Sequence, residues 1–260
     1  VVGDGAMSGG LSFEAVNYAG HLKTPLIVIL NDNQMSISRN VGALSAYLSR
    51  VRLDPHYRKA KSDFESLAAR LPMGEGLLEV VERFKHGVKH LFLPGMWFEE
   101  LGFTYLGPID GHDVEALVTT LAQARDLKEP VLIHALTQKG HGYTHAENDA
   151  TKWHRTGAFD IDTGEPAAEA PEATYSRTFG KALLQLAELD PRIVGVSAAM
   201  PKDTGLGMFA ERFPDRVFDV GMAEQMAVTF SAGLAAQGLR PVVPIYSTFM
   251  QRAYDQIVHD

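Results

Sequence analysis

The sequence predicts an α/β protein made of two doubly wound parallel-sheet domains, both incomplete. Short β-branched runs such as Pro25–Leu30 alternate with amphipathic segments of helical length, which is typical of parallel sheets. A stretch rich in Pro, Ala and Glu at 160–174 separates two such series and has almost no large apolar residue. We therefore expect a first domain at 1–159, a linker at 160–174 and a second domain at 175–260.

The first half predicts a strand–helix–strand unit followed by further strands and helices. Val1–Val2 predicts the end of a strand, and the continuous apolar run 25–30 predicts a fully buried one. Between them, a helix over 12–22 should pack on the sheet through apolar residues at helical spacing: Phe13, Ala15, Val16, Ala19 and Leu22. Later elements are a solvated basic helical arm at 36–70, helices at 76–93 and 94–101, strands at 103–106 and 130–136, and a helix at 114–127 with Asp113 as its N-cap.

The second half repeats the alternation. The pattern predicts helices at 175–189, 207–212 and 222–236, a last helix from 247, and strands at 193–197, 217–220 and 241–246.

Composition excludes several classes of protein. The 260 residues carry a net charge of −8, which argues against a broad nucleic-acid or anionic-membrane surface. No segment is long and apolar enough to span a bilayer, and we expect no signal peptide. Without cysteine the chain has no disulfide, which is compatible with the cytoplasm. Because it opens inside a predicted strand and ends in a helical run, we expect a fragment of a longer protein.

Polar residues follow two neighbouring strands of the predicted sheet. Gly3-Asp4-Gly5 follows the first strand, and Asn33 lies shortly after the second. The carboxyl ends of parallel strands meet at one edge, where α/β sheets bind ligands. A carboxylate and an amide oxygen suit Mg²⁺, and glycine N–H groups near a helix N-terminus suit phosphate. A plain turn is the alternative for each motif alone.

Lys139 and Glu224 are two further candidate site residues. Lys139 lies among polar and glycine residues and is either a phosphate-neutralising group or a solvated lysine. Glu224 follows a strand among apolar residues, and such surroundings raise the pKa of a carboxyl, although acids also favour a first helical turn for electrostatic reasons. The histidines show no zinc spacing with cysteine or glutamate, so we expect no metal cluster of that kind.

The motifs together resemble those of the 1-deoxy-D-xylulose-5-phosphate synthase family of transketolase-like thiamine diphosphate enzymes. They occur in order along the chain: Gly-Asp-Gly with Asn33, Gly-Pro-Ile-Asp-Gly-His-Asp at 107–113, Ala-Glu-Gln at 223–225 after Asp-Val-Gly, and the run from Tyr246 to Asp260. One departure is Met226, where the family usually has histidine.

The resemblance implies the roles of individual residues. It makes Glu224 and His154 catalytic, Asp4, Asn33 and the Met35 carbonyl Mg²⁺ ligands, and Tyr246 and Arg252 substrate contacts. The residues implied to contact thiamine diphosphate are Gly3, Asp4, Gly5, Ala6, Asn33, Ile37, Lys139 and Phe249.

The implied reaction condenses pyruvate with D-glyceraldehyde 3-phosphate to 1-deoxy-D-xylulose 5-phosphate and CO2, the first step of non-mevalonate isoprenoid synthesis. The implied protein is a cytoplasmic homodimer, and we expect the fragment alone to be inactive. Alternatives are a transketolase, a 2-oxoacid dehydrogenase decarboxylase component, or a non-catalytic fragment of this fold.

Overall fold

The computed structural model of the chain describes residues 1–37, 39–53, 96–168 and 173–260. Its contacts divide the described chain into two compact units. The first unit comprises Val1–Val2, Phe13–Asp32 and the described part of Ala43–Thr137; the second comprises Gly3–Ser12, the described part of Asn33–Gly42 and that of Gln138–Asp260. The domain division at 160–174 stays a prediction.

The first sheet has the strand order β1-β2-β4-β3. Its strands are β1 (Val2–Gly3), β2 (Ile27–Asp32), β3 (Thr104–Asp110) and β4 (Val131–Leu136). Strand β4 runs parallel to both β2 and β3. The parallel α/β architecture predicted from the sequence is confirmed, and the ends of β2 and β4 lie at one edge of the sheet.

Burial differs between the two central strands. Residues 131–135 of β4 are all buried, and Val131 and Ile133 form a core cluster with Ala124. In β2 only Leu30 and Asp32 are buried, so the prediction of a fully buried strand is wrong for Ile27–Ile29. Its neighbour β1 is only two residues long and covers little of β2.

The helix after the first glycine turn spans Gly10–Leu22. Val16 and Ala19 are buried as expected, whereas Phe13, Ala15 and Leu22 are exposed, so the predicted packing face is too wide. Phe13 instead stacks on the ring of Trp97, with 6.0 Å between ring centroids.

The other helices of this unit are Ala43–Leu53, Met96–Glu100 and Val114–Leu127. The Asp113 carboxylate accepts a hydrogen bond from the Ala116 N–H at 3.0 Å, which confirms the predicted N-cap. The rest of the predicted arm, up to Arg70, and the predicted helix at 76–93 lie outside the described residues.

The second unit holds a parallel sheet of order β6-β5-β7. Its strands are β5 (Ile193–Ser197), β6 (Val217–Asp219) and β7 (Arg240–Val242). Strand β7 ends four residues earlier than predicted because Pro244 has no N–H to donate to a ladder. The core beside this sheet is formed by Leu183, Ala187, Ile193, Leu206 and Phe209.

Six helices of the second unit have the bounds Thr144–Asn148, Tyr175–Leu189, Leu206–Arg212, Glu224–Ala236, Ser247–Met250 and Tyr254–His259. Residues 160–166 form a turn in which the Asp160 carboxylate accepts the N–H groups of Asp162 and Thr163. Within the described ranges, no helix has the length and apolar character needed to cross a membrane.

Candidate functional site

The glycine turn after β1 is tied to the chain that follows β2 through Asp4. This buried carboxylate accepts the N–H of Gly5 on one oxygen at 2.8 Å and the N–H of Gln34 on the other at 2.7 Å. The two polar segments predicted to meet at one sheet edge therefore do meet.

The segment after β2 is folded on itself in a way that fixes Asn33. The Asn33 side-chain oxygen accepts the N–H of Met35 at 2.9 Å, and Gln34 between them has a left-handed backbone with φ of 62°. Met35 also forms an isolated antiparallel bridge with Arg39, and Ile37 lies half-buried in the intervening bend.

The two glycines of the turn differ in their surroundings. A Cβ at Gly5 would lie 2.7 Å from Asn40 Oδ1 and 3.3 Å from Met222 Sδ, so a larger residue at this position would make these side chains move. A Cβ at Gly3 would meet nothing within 4 Å, so contacts among the described residues do not require glycine there. Ala6 begins the short 3-10 turn Ala6–Ser8. Met222 brings the chain that precedes Glu224 against this turn.

Lys139 joins three segments of the second unit. Its ammonium donates to the carbonyl of Ser36 and lies 2.6 Å from Nδ1 of His154. Burial lowers the pKa of Lys139, and the negative charge of Asp4 opposes that shift. Burial and the positive charge of Lys139 lower the pKa of His154, while Asp203 acts in the opposite direction.

Glu224 is the first residue of its helix and is buried, with 4% of its surface exposed. Its Oε2 lies 3.5 Å from Nη1 of Arg252, whose side chain is 58% exposed. The sequence predicted apolar surroundings for this carboxyl, but the charged guanidinium of Arg252 lies beside it. Met226, in the first turn of the same helix, is half exposed.

Tyr246 and Phe249 lie on the chain that leaves β7. The Tyr246 hydroxyl donates to the Asp203 carbonyl at 3.1 Å, and its ring centroid lies 6.1 Å from that of Phe249. Burial and the nearby Asp203 carboxylate raise the pKa of Tyr246, and Arg155 opposes the effect.

The second compact unit contains every residue singled out in the sequence as a site residue. Hydrogen bonds connect Asp4 with the segment after β2, that segment with Lys139, and Lys139 with His154. Sequence reasoning missed Ser36 and Asp203, which contact these residues. Neither has a motif or spacing that could have indicated its place, because both contacts form across long stretches of chain.

Two family models match the chain. One, described as 1-deoxy-D-xylulose-5-phosphate synthase, matches residues 1–137, which is more than half of the chain. The other, described as transketolase, pyrimidine binding domain, matches residues 171–260.

The chain belongs to the 1-deoxy-D-xylulose-5-phosphate synthase family. The chain is 55% identical to members of this family from Desulfitobacterium hafniense strain DSM 10664 and from Pelotomaculum thermopropionicum, and 56% identical to one from Desulforudis audaxviator. Each match covers 100% of this chain and 41% of the relative, so the chain spans about two fifths of their length.

Among solved structures, a transketolase from Campylobacter jejuni shows a weak likeness to this synthase-family chain. It has a TM-score of 0.35 and 18% sequence identity, and the match covers 98% of this chain and 43% of that one.

Proposed function

We propose that this chain is part of a thiamine diphosphate- and Mg²⁺-dependent transferase of the transketolase type. The reaction is the condensation of pyruvate with D-glyceraldehyde 3-phosphate to 1-deoxy-D-xylulose 5-phosphate and CO2, which opens non-mevalonate isoprenoid synthesis and supplies thiamine synthesis. Family membership supports the proposal, and so does the meeting of Asp4 with the Asn33 segment. The cytoplasmic location, the homodimer and the inactivity of the isolated chain stay predictions.

The residues at this edge fit a magnesium diphosphate. The Asp4 carboxylate, held by the N–H groups of Gly5 and Gln34, would supply the charged oxygen ligand of the metal. Asn33 and the Met35 carbonyl would complete a set of hard oxygen ligands. Gly3 carries no side chain where an anion would approach the backbone, and Gly5 and Ala6 lie in the same turn.

Lys139 would neutralise diphosphate charge, since its ammonium lies close enough to Asp4 for that carboxylate to influence its pKa. Ile37 would support the cofactor through apolar contact, and Phe249 would stack on its ring. His154 would donate a hydrogen bond next to Lys139.

Thiamine diphosphate, when bound, supplies an electron sink that the side chains of the protein lack. Glu224 would hold the proton that is exchanged with the aminopyrimidine ring. Its Oε2 faces Arg252, which leaves Oε1 for that proton. Arg252 has five N–H donors, so it can orient Glu224 and still bind an anionic substrate group, and Tyr246 would be a second substrate contact.

The cofactor assignment is tested by titration calorimetry on the full natural chain. We expect thiamine diphosphate to bind in the presence of Mg²⁺ and to bind much more weakly in the presence of EDTA. Absence of binding under both conditions would favour the alternative of a non-catalytic protein with this fold.

The substrate assignment needs a separate assay. The full natural chain should form 1-deoxy-D-xylulose 5-phosphate from pyruvate and glyceraldehyde 3-phosphate. Turnover of ketose phosphate donors without pyruvate would favour a transketolase. Decarboxylation of pyruvate with transfer to a lipoyl carrier would favour a 2-oxoacid dehydrogenase component.

A further inference from the structure

The contact between Lys139 and His154 is close, and only one of the two partners can donate the hydrogen bond. The Nζ atom lies 2.6 Å from Nδ1 of the imidazole, within hydrogen-bond distance. An ammonium carries three donors and no acceptor, so Nδ1 must accept. A neutral histidine whose Nδ1 accepts carries its proton on Nε2.

A second hydrogen bond fixes the position of the lysine. Its ammonium also donates to the Ser36 carbonyl, in the segment that follows β2. Two acceptors from different parts of the chain restrict the lysine side chain. Lys139 is therefore placed to act on His154 as a fixed donor.

The charges around the imidazole also favour its neutral form. Burial lowers the pKa of His154, and the positive charge of Lys139 at Nδ1 adds to that effect. Asp203, in the loop before the helix Leu206–Arg212, opposes both. Among the described residues no acceptor is hydrogen-bonded to Nε2 of His154, so that N–H is available to a ligand.

We infer that Lys139 is a positioning residue that holds His154 as a neutral Nε2–H donor for an anionic or carbonyl oxygen of a bound ligand. The identity of that ligand rests on the proposed function. The hydrogen bonds of Lys139 to Ser36 and His154 do not depend on the proposed function, because they form within the chain itself.

The first test locates the proton directly. Solid-state NMR of the sedimented full natural chain, labelled with ¹⁵N-histidine and free of cofactor and substrate, distinguishes protonated from unprotonated ring nitrogens. The spectrum of His154→Gln identifies the signals of His154. We expect a protonated Nε2 and an unprotonated, hydrogen-bonded Nδ1 at neutral pH. A proton on Nδ1 would overturn the inference.

The second test removes the donor. In Lys139→Met, the Nδ1 signal should move to the position of a nitrogen without a hydrogen bond, and the pKa of His154 should rise because a positive neighbour is lost. Lys139→Arg should restore both readouts towards the parent. Lys152→Met is the matched control, since Lys152 lies two residues from His154 but contacts the ring of Trp153.

Each outcome of the second test either supports or overturns the role of Lys139. Unchanged Nδ1 signal and pKa in Lys139→Met would overturn the role of Lys139, even if His154 is an Nε2–H donor. If Lys139→Met does not fold, Lys139→Gln, which also lacks the charge, must show the same rise in pKa. None of these measurements needs thiamine diphosphate, so failure of the proposed function would leave them interpretable.

Discussion

The Asp4 carboxylate accepts the backbone N–H of Gln34 at 2.7 Å, across 30 residues of sequence. This hydrogen bond joins the turn after β1 to the turn after β2, and these strands are neighbours in the sheet. It sets the Asp4 carboxylate beside the segment whose Asn33 side chain is itself held by the Met35 N–H. Two oxygen groups of the kind that Mg²⁺ prefers are thus fixed before any metal binds.

Asp4→Ala should weaken thiamine diphosphate binding mainly when Mg²⁺ is present, because it removes the charged oxygen ligand. Calorimetry on the full natural chain, with and without Mg²⁺, measures the effect. Asp110→Ala is the control, since Asp110 is the last residue of β3 and likewise accepts a nearby N–H, that of His112 at 2.9 Å. Equal Mg²⁺-dependent binding in Asp4→Ala and the parent would rule out the metal assignment.

Glu224→Gln should fold normally and lose turnover by about a hundred- to ten-thousand-fold, the usual value of general acid–base help. The glutamine keeps the size of the side chain but cannot exchange the proton. Turnover in the full natural chain is measured together with proton exchange at the thiazolium carbon, followed by NMR.

Glu188→Gln is the matched control for that experiment. Glu188 also lies near an arginine, with 4.0 Å to Arg212, but it is on the surface. If Glu224→Gln exchanged the thiazolium proton as fast as Glu188→Gln, Glu224 would be only a carboxylate at a helix start.

Asp190 should stabilise the fold in a pH-dependent way. The pKa of Asp190 is lowered from 3.8 to about 2, mainly by hydrogen bonds from the side chain and the N–H of Arg192. The positive charge of Arg240 adds to this effect. Because the folded pKa is depressed, the stabilisation is complete above pH 3.8 and is lost as the pH falls towards 2.

Asp190→Asn should therefore unfold at a lower temperature than the parent near pH 6, and the difference should shrink between pH 3.8 and 2. Thermal unfolding across this pH range measures it, with Asp126→Asn as the exposed control. A difference that stays constant down to pH 2 would contradict the electrostatic explanation.

Asp32 should be important for the stability of the first unit. This fully buried carboxylate lies 2.9 Å from His134 Nε2 and 3.1 Å from Arg52 Nη2. Asp32→Ala removes the carboxylate partner of His134 and the ion pair with Arg52, which still donates to the Asp32 carbonyl, and it should cost about 3 kcal/mol of unfolding free energy. Asp32→Asn, which keeps an acceptor, should cost less.

Chemical denaturation measures these costs. Asp126→Ala removes an exposed carboxylate that lies 3.1 Å from Arg125, and it should cost roughly 0.5 kcal/mol or less. Comparable costs for Asp32→Ala and Asp126→Ala would show that the buried network contributes little.

Much of the fold could be predicted because local patterns decide it. The helices Val114–Leu127 and Tyr175–Leu189 and the strand β5 have their predicted bounds, since apolar periodicity and an N-cap specify them locally. The extent of β7 was wrong because the apolar pattern continues past Pro244, where the ladder cannot.

The sequence by itself determined the parallel α/β class, the family, and the placement of Asp4 and Asn33 at one sheet edge, because chain order and strand direction are sufficient for that. Only the tertiary structure decided that Lys139 contacts His154 and Ser36, and that Arg252 lies against Glu224. These contacts join residues between 15 and 103 positions apart in the chain. No periodicity encodes them, because the path of the intervening loops sets which side chains meet.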